Sequence, residues 1–253
     1  MWPAKFSLKP EPDFLSHLEE LRRRLIVSLF FFFLAAILCY VYSRPLLGFL
    51  TRPLDTFSDS TNLFFRSPQE GFLLYIKTAA LAGFVLSSPV FLTQTWLFLA
   101  PGLYGHEKKI VFLIAAISLF FFLTGVFFAY GVVIPWGLEF LLSFQTDRLK
   151  PLLEAGPYFS FLSAMILAFG LLFNVPVLVV GLVKLGVLST ASIRRARRGI
   201  IVFLFLLAAI LTPSPDPLSQ LILAVPLLVL FEASLFLAAK LEKNPLRPSV
   251  DRT

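Results

Sequence analysis

Hydrophobic positions along this chain gather into six long runs: Leu25 to Tyr42, Phe72 to Ala100, Ile110 to Ile134, Phe159 to Val183, Gly199 to Leu211 and Leu218 to Ala239. Lipid is the solvent that suits them, because a bilayer accepts helices that are apolar on every side once each backbone N–H and C=O is bonded within its own helix. The first run would be about 27 Å long as a helix, close to the hydrocarbon thickness of roughly 30 Å. The second, third and fourth are longer, so they must tilt, kink or project beyond the membrane. Pro89, after Ser87 and Ser88, predicts a kink in the second run, and Pro176 predicts one in the fourth. The fifth would reach only about 20 Å, and the sixth is comparable if Glu232 marks its end at the interface.

The connector between the last two runs, Thr212-Pro213-Ser214-Pro215-Asp216-Pro217, holds three prolines and predicts a tight turn between two short spans. A hairpin that short has to thin the bilayer beside it or be shielded by a partner. Six runs place both termini on the same side. The expectation is an all-α integral membrane protein forming one polytopic domain over residues 1–253. It divides into an N-terminal segment 1–24, a six-helix membrane part 25–239 and a tail 240–253.

Composition agrees with lipid as the solvent. Of 253 residues, 58% are hydrophobic and only 15% charged, and 30 are Phe. A soluble domain carries about 25% charge, and one globular core would not hide this much apolar side chain. The single cysteine, Cys39, lies inside the first run, which excludes an intramolecular disulfide and a thiol metal cluster. His17 and His106 are too few and too poorly spaced for zinc, so neither metal nor cofactor is expected.

The net charge of +7 suggests an anionic partner until the charges are placed. The N-terminal segment holds Lys5, Lys9, Arg22, Arg23 and Arg24, and the second connector holds Lys108 and Lys109. Lys184, Arg194, Arg195, Arg197 and Arg198 lie in the fourth connector, and Lys240, Lys243, Arg247 and Arg252 in the tail. Those sixteen face one side, against five on the other (Arg44, Arg52, Arg66, Arg148 and Lys150), with Lys77 inside the second run. The positive-inside rule then puts both termini in the cytoplasm and makes nucleic acid a poor partner. No small-residue cleavage pattern follows the first run, so no cleavable signal peptide is expected. The outer loops, Ser43 to Gly71 and Pro135 to Tyr158, are apolar and proline-rich in places and are expected to pack as a cap.

Three groups of residues carry candidate chemistry. Ser16-His17-Leu18-Glu19-Glu20-Leu21-Arg22-Arg23-Arg24-Leu25 runs straight into the first span. Ser16 with Glu19 three residues on forms a capping-box pattern, which gives Glu19 a structural role. Glu20 has two readings, an i,i+4 pair with Arg24 or a functional acid, since an exposed pair of that kind contributes only about 0.3 to 0.5 kcal/mol. Gln94-Thr95-Trp96-Leu97-Phe98-Leu99-Ala100-Pro101-Gly102-Leu103-Tyr104-Gly105-His106-Glu107-Lys108-Lys109 closes the second span, turns at Pro101 and opens the third. Glu107 there either complements a helix dipole or serves a site. Lys77, Gln94, Thr124, Asn174, Glu232 and the turn from Thr212 to Gln220 put polar atoms at membrane depth, where interhelical bonding and function both occur. Lys77 is expected to snorkel outward.

All six aspartates fall in loops or tails, and neither histidine lies in a span. A buried aspartate pair for intramembrane proteolysis and an embedded Ser/His nucleophile are therefore missing, and no phosphate loop is present, so an enzyme is not expected.

Taken together, the Ser16 to Arg22 motif, Ser87-Ser88-Pro89-Val90, Gln94-Thr95-Trp96, Ala100 to Lys109, Ala168-Phe169-Gly170, Leu211-Thr212-Pro213 and Ser219-Gln220 resemble the TatC family. TatC is the multispanning subunit of the twin-arginine protein translocase. The resemblance implies a concave, glove-like six-helix fold in the cytoplasmic (inner) membrane and a receptor for twin-arginine signal peptides of folded cargo. It implies single-span partners TatA and TatB, a homo-oligomer inside a hetero-oligomeric receptor complex, and export powered by the proton motive force. Residue by residue, Glu20 and Glu107 match the acids associated with the arginine pair, and Arg22 the basic neighbour of the first. Thr212 and Gln220 match positions associated with docking TatB, and Pro53 and Asp216 match outer motif positions. Asn174 stands where relatives often carry an acid; Asn does not titrate, so the implied role there is hydrogen bonding rather than proton transfer. Two other classes remain as alternatives: a small-solute secondary transporter, for which no inverted repeat or polar midplane cluster stands out, and a scaffold for other membrane proteins.

Overall fold

A computed structural model of the chain describes residues 14–55, 63–99, 108–143, 152–184, 188–211 and 217–242. All named elements are helical: α1 (Phe14–Val41), α2 (Ser43–Asp55), α3 (Pro68–Leu99), α4 (Lys108–Phe128), a π-helical turn (Ala129–Val133), α5 (Ile134–Leu142), α6 (Ala155–Leu172), α7 (Val175–Lys184), α8 (Thr190–Leu211) and α9 (Pro217–Glu242). Five stretches are long and apolar enough to cross a membrane: His17–Val41, Pro68–Leu99, Val111–Leu142, Ala155–Lys184 and Leu223–Lys240. Large apolar side chains point outward along them, including Phe33, Ile37, Phe120, Phe127 and Phe236. In water those faces would aggregate, and against lipid tails they need no partner.

The fifth apolar run lies in α8, which is not among the five because Arg194, Arg195, Arg197 and Arg198 fill its N-terminal part. As helices, the last two are not short: α8 has 22 residues and α9 has 26. Glu232 does not end α9; it accepts from Arg197 Nε at 2.7 Å, tying α9 to α8. A proline-rich turn was expected between them, and residues 212–216, with Thr212 and Asp216, lie outside the described residues.

The prolines act as the backbone rules require. α3 continues through Pro89, which has no N–H to give to the carbonyl of Val85. The hydroxyl of Ser88 donates to that carbonyl instead, at 2.7 Å. The fourth run breaks at Phe173 and Asn174, and α7 starts at Val175 with Pro176 in its first turn, where the missing N–H has no helical acceptor to lose. In the third run the chain passes from α4 to α5 through the π-helical turn, so helix extends to Leu142, beyond the expected end at Ile134.

The fold is built on two close approaches of backbone. α1 lies along α3, and a Cβ added to Gly83 would sit 2.6 Å from the backbone of Ala36, so glycine sets that spacing. α4 crosses α6 at Gly125, where an added Cβ would meet the Phe169 carbonyl at 2.4 Å. The main core gathers around Phe159, Leu162, Met165 and Phe169 of α6, all essentially buried, and extends to α5, α8 and α9. A second cluster forms where Trp96 packs on Val111, Ala115 and Val177. Trp96 is buried and its Nε1 donates to Ser118 Oγ at 2.7 Å, which joins α3 to α4.

The two long connectors expected as loops are partly helical. Ser43 to Asp55 forms α2, with Pro53 buried on it, and residues from Pro135 onward continue as α5. Among the described residues of these connectors, a few bonds join one to the other. Phe64 N–H donates to Leu153 O at 3.0 Å and Ala155 N–H to Phe64 O at 2.9 Å, an isolated parallel bridge between the connectors. Arg66 Nη2 pairs with Glu154 Oε1 at 2.5 Å. Tyr130 and Tyr158 donate their hydroxyls to the carbonyls of Phe49 and Leu50, at 2.5 and 2.8 Å, and so hold α2 against the bundle. Lys77 bonds Ser160 Oγ at 3.3 Å, a lateral tie to α6 in addition to its exposed position.

Candidate functional site

The first-motif residues come together where α1 begins and α3 ends. α1 starts at Phe14, so Ser16 lies inside its first turn rather than ahead of it, where a capping box from Ser16 to Glu19 would need it. Boundary differences of this size are common where a polar segment precedes an apolar one. Glu19 and Arg22 are exposed on the helix surface. His17 stacks on Phe98, with ring centroids 4.5 Å apart and planes 19° from parallel, closing the end of the α1–α3 pair.

Four residues further along α1, Glu20 and Arg24 meet. Arg24 Nε donates to Glu20 Oε1 at 3.0 Å, and Nη2 donates to the same oxygen. Arg24 Nη1 donates across to Gln94 Oε1 on α3 at 3.3 Å. One guanidinium thus bridges a carboxylate on α1 and an amide on α3. Helical spacing stacks positions 20 and 24 on one face, and the Gly83 approach brings that face within reach of α3. A cleft of about 360 Å³ opens beside them, lined by Glu20, Arg23, Arg24, Val27, Gln94 and Leu97. Side-chain exposure is 33% for Glu20 and 21% for Arg24, so the pair is half-buried yet reachable.

The structural pairing anticipated for Glu20 therefore forms, and the functional reading shares the same atoms. Among the described residues, no hydrogen bond reaches Glu20 Oε2. Glu107 and Pro101, which the motif puts at the neighbouring connector, lie outside the described residues. Gln94 is in the cleft, which places a predicted membrane-depth polar residue at the site's rim.

The other predicted positions lie elsewhere. Asn174 is buried at the α6–α7 break; its Nδ2 donates to Gly170 O at 3.1 Å, while Oδ1 has no partner among the described residues. Gln220 Nε2 donates to Phe205 O at 2.8 Å, which ties α9 to α8. Pro53 is buried in α2, and Pro89 lies on the exposed side of α3.

Sequence reasoning missed one polar constellation. At the opposite end of α3, Glu70 accepts from the backbone N–H of Arg66 at 2.6 Å and of Gly156 at 2.7 Å. Pro68 followed by Glu70 marks a helix start with an acid in its first turn, a signal present in the sequence. Its cross-chain partner 86 residues away has no local signature. Among the described residues no group of three or more His, Cys, Asp or Glu is placed to hold a metal ion.

Apolar-sided helices, two close helix crossings and a half-buried acid beside a cleft define a multi-pass helical membrane protein. The family described as Sec-independent protein translocase protein (TatC) matches residues 16–226. A Sec-independent protein translocase protein TatC of Magnetococcus marinus is 37% identical over 231 residues, covering 91% of this chain and 85% of that protein. That of Carboxydothermus hydrogenoformans is 36% identical, covering 88% of this chain and 90% of its own. A crystal structure of a twin arginine translocase receptor, TatC, superposes with a TM-score of 0.81 at 35% identity, covering 90% of this chain and all of that one. The chain belongs to the TatC family of protein translocase components.

Proposed function

We propose that this protein is the receptor that captures twin-arginine signal peptides, with Glu20 and Glu107 as the acids that read the arginine pair and Arg22 beside the first. One observation carries the reading: Glu20 already holds a guanidinium, that of Arg24, at the edge of an open cleft. A carboxylate able to order one guanidinium has the geometry to order another, and the fork of an arginine matches it where a lysine offers only a point charge. Exposed ion pairs contribute about 0 to 1 kcal/mol each, so two acids set register rather than total affinity. The rest comes from the signal's apolar stretch against the apolar helix faces, at about 25 cal/mol per Å² removed from water. The solved relatives are named as twin arginine translocase receptors, which supports the same role here.

In this reading residues 1–253 form one polytopic domain, with the apolar half of α8 and α9 counted as spans five and six of a concave, glove-like bundle. Both termini are cytoplasmic, on the argument of sixteen basic residues against five. Folded cargo crosses with TatA- and TatB-type single-span partners, driven by the proton motive force, and the protein acts without catalysis. Thr212 and Gln220 form the docking edge, where an α8 too short in its apolar part gains cover from a partner helix. Site-specific crosslinking tests this: a photoreactive residue at position 107 should capture an arginine-pair peptide, and one at 220 a single-span partner. Capture of the partner without capture of the peptide would leave a scaffold, not a receptor.

A further inference from the structure

Arg24 of the first motif is tied down on both sides. It bonds the carboxylate of Glu20 on its own helix and the amide of Gln94 on α3. Both bonds to Glu20 converge on Oε1. A guanidinium arriving from outside makes its strongest contact with a carboxylate as a fork, two parallel N–H bonds to two oxygens. With both Arg24 bonds on Oε1, Oε2 alone carries no hydrogen bond among the described residues, and a fork that spans the two oxygens has to compete with Arg24 for Oε1.

We propose that Arg24 is a built-in occupant of the Glu20 carboxylate, which a signal arginine must displace to form its fork, while Gln94 keeps an acceptor for Arg24 when it lets go. This inference rests on the receptor reading of Glu20 and adds the residue that sets the threshold for capture. Occupancy lowers apparent affinity by the fraction of time the carboxylate is open. It acts selectively: a lysine needs one oxygen and takes Oε2 with Arg24 in place, so its capture depends less on Arg24. The resting pair also keeps Glu20 from holding any passing cation, since a half-buried carboxylate without a partner is the less favourable state.

The test uses the full-length protein in lipid nanodiscs and fluorescent signal peptides carrying Arg-Arg or Lys-Lys. Arg24→Gln should tighten Arg-Arg binding roughly two- to fivefold, the span an exposed ion pair can supply, and change Lys-Lys binding by less. Arg24→Met, which keeps the unbranched stem along α3, should behave the same way and guards against a folding defect specific to one variant. An equal rise for both peptides would mean that only net charge changed, and a fall or no change would make Arg24 a brace or a direct contact; each overturns the proposal. Glu20→Gln separates it from the reading beneath it. If that variant leaves Arg-Arg binding intact, the receptor role of Glu20 fails; if it weakens binding while Arg24→Gln does not tighten it, the displacement idea fails alone.

Discussion

The carboxylate of Glu70 accepts the backbone N–H of Gly156 at 2.7 Å, pinning the start of α3 to the start of α6 across two connectors. Its second oxygen accepts the N–H of Arg66 at 2.6 Å, and the Phe64 bridge and the Arg66–Glu154 pair lie alongside. A side chain at position 156 would put its Cβ 2.3 Å from Glu70 Oε1. Gly156→Ala should therefore push the carboxylate aside and break its bond to the N–H of residue 156. Glu70→Ala should leave that glycine intact and still loosen the bridge beside it. Hydrogen exchange at the amides of Phe64 and Ala155 should speed up in both variants, and unchanged protection would mean that the bridge stands without Glu70.

Ser88 supplies the hydrogen bond that Pro89 withholds from Val85. Ser88 is buried, so Ser88→Ala leaves a carbonyl without a donor, a loss of about 1 to 3 kcal/mol. In a Pro89→Ala background the helix regains its own N–H, and the same substitution should cost at least about 1 kcal/mol less. A double-mutant cycle by thermal unfolding reads the coupling; strict additivity would contradict this account of the Ser-Pro pair.

Trp96 and Ser118 form a buried side-chain pair between α3 and α4, with Gly181 of α7 under the indole. Trp96→Phe strands the Ser118 hydroxyl and should cost about 1 to 3 kcal/mol beyond the packing loss. Adding Ser118→Ala to it should recover part of that. Gly181→Ala would place a Cβ 2.5 Å from the ring and should destabilise the same junction. Unfolding midpoints of these variants in detergent check the set.

Asn174 carries a buried oxygen with no partner among the described residues. Asn174→Leu removes that unpaired oxygen but also the Nδ2 bond to the Gly170 carbonyl, so it should lower stability by about 1 kcal/mol. If that oxygen accepts a bond from a partner helix during transport, export of a twin-arginine reporter should fall by more than this loss of stability explains. Export at the unmodified level would reduce Asn174 to packing.

The runs of apolar residues made the membrane helices legible, because a chain of 253 residues has no core large enough to bury so many helices apolar all round. The i,i+4 pair of Glu20 and Arg24 was legible for the same local reason. Helix in Ser43–Asp55 was not, since Arg44, Pro45 and Pro53 read as loop until Tyr130 and Tyr158 supply hydroxyls to its carbonyls from far along the chain. The extent of α9 follows the sixth apolar run closely, but the pairing of Glu232 with Arg197 of α8 carries no local signature, since 35 residues separate the two. Gln94 was visible as a polar residue at depth, but its link to Arg24 depends on the α1–α3 crossing at Gly83, which periodicity does not encode. Local spacing fixes neighbours within a helix; contacts between helices appear only once the crossings are known.

The role proposed for Glu20 is to read arginine. Equilibrium binding of matched Arg-Arg and Lys-Lys signal peptides to the full-length protein in nanodiscs, for the native sequence and for Glu20→Gln, tests it most directly. The native protein should prefer the Arg-Arg peptide, and Glu20→Gln should lose most of that preference, weakening Arg-Arg binding far more than Lys-Lys binding. A preference that survives Glu20→Gln undiminished would contradict it.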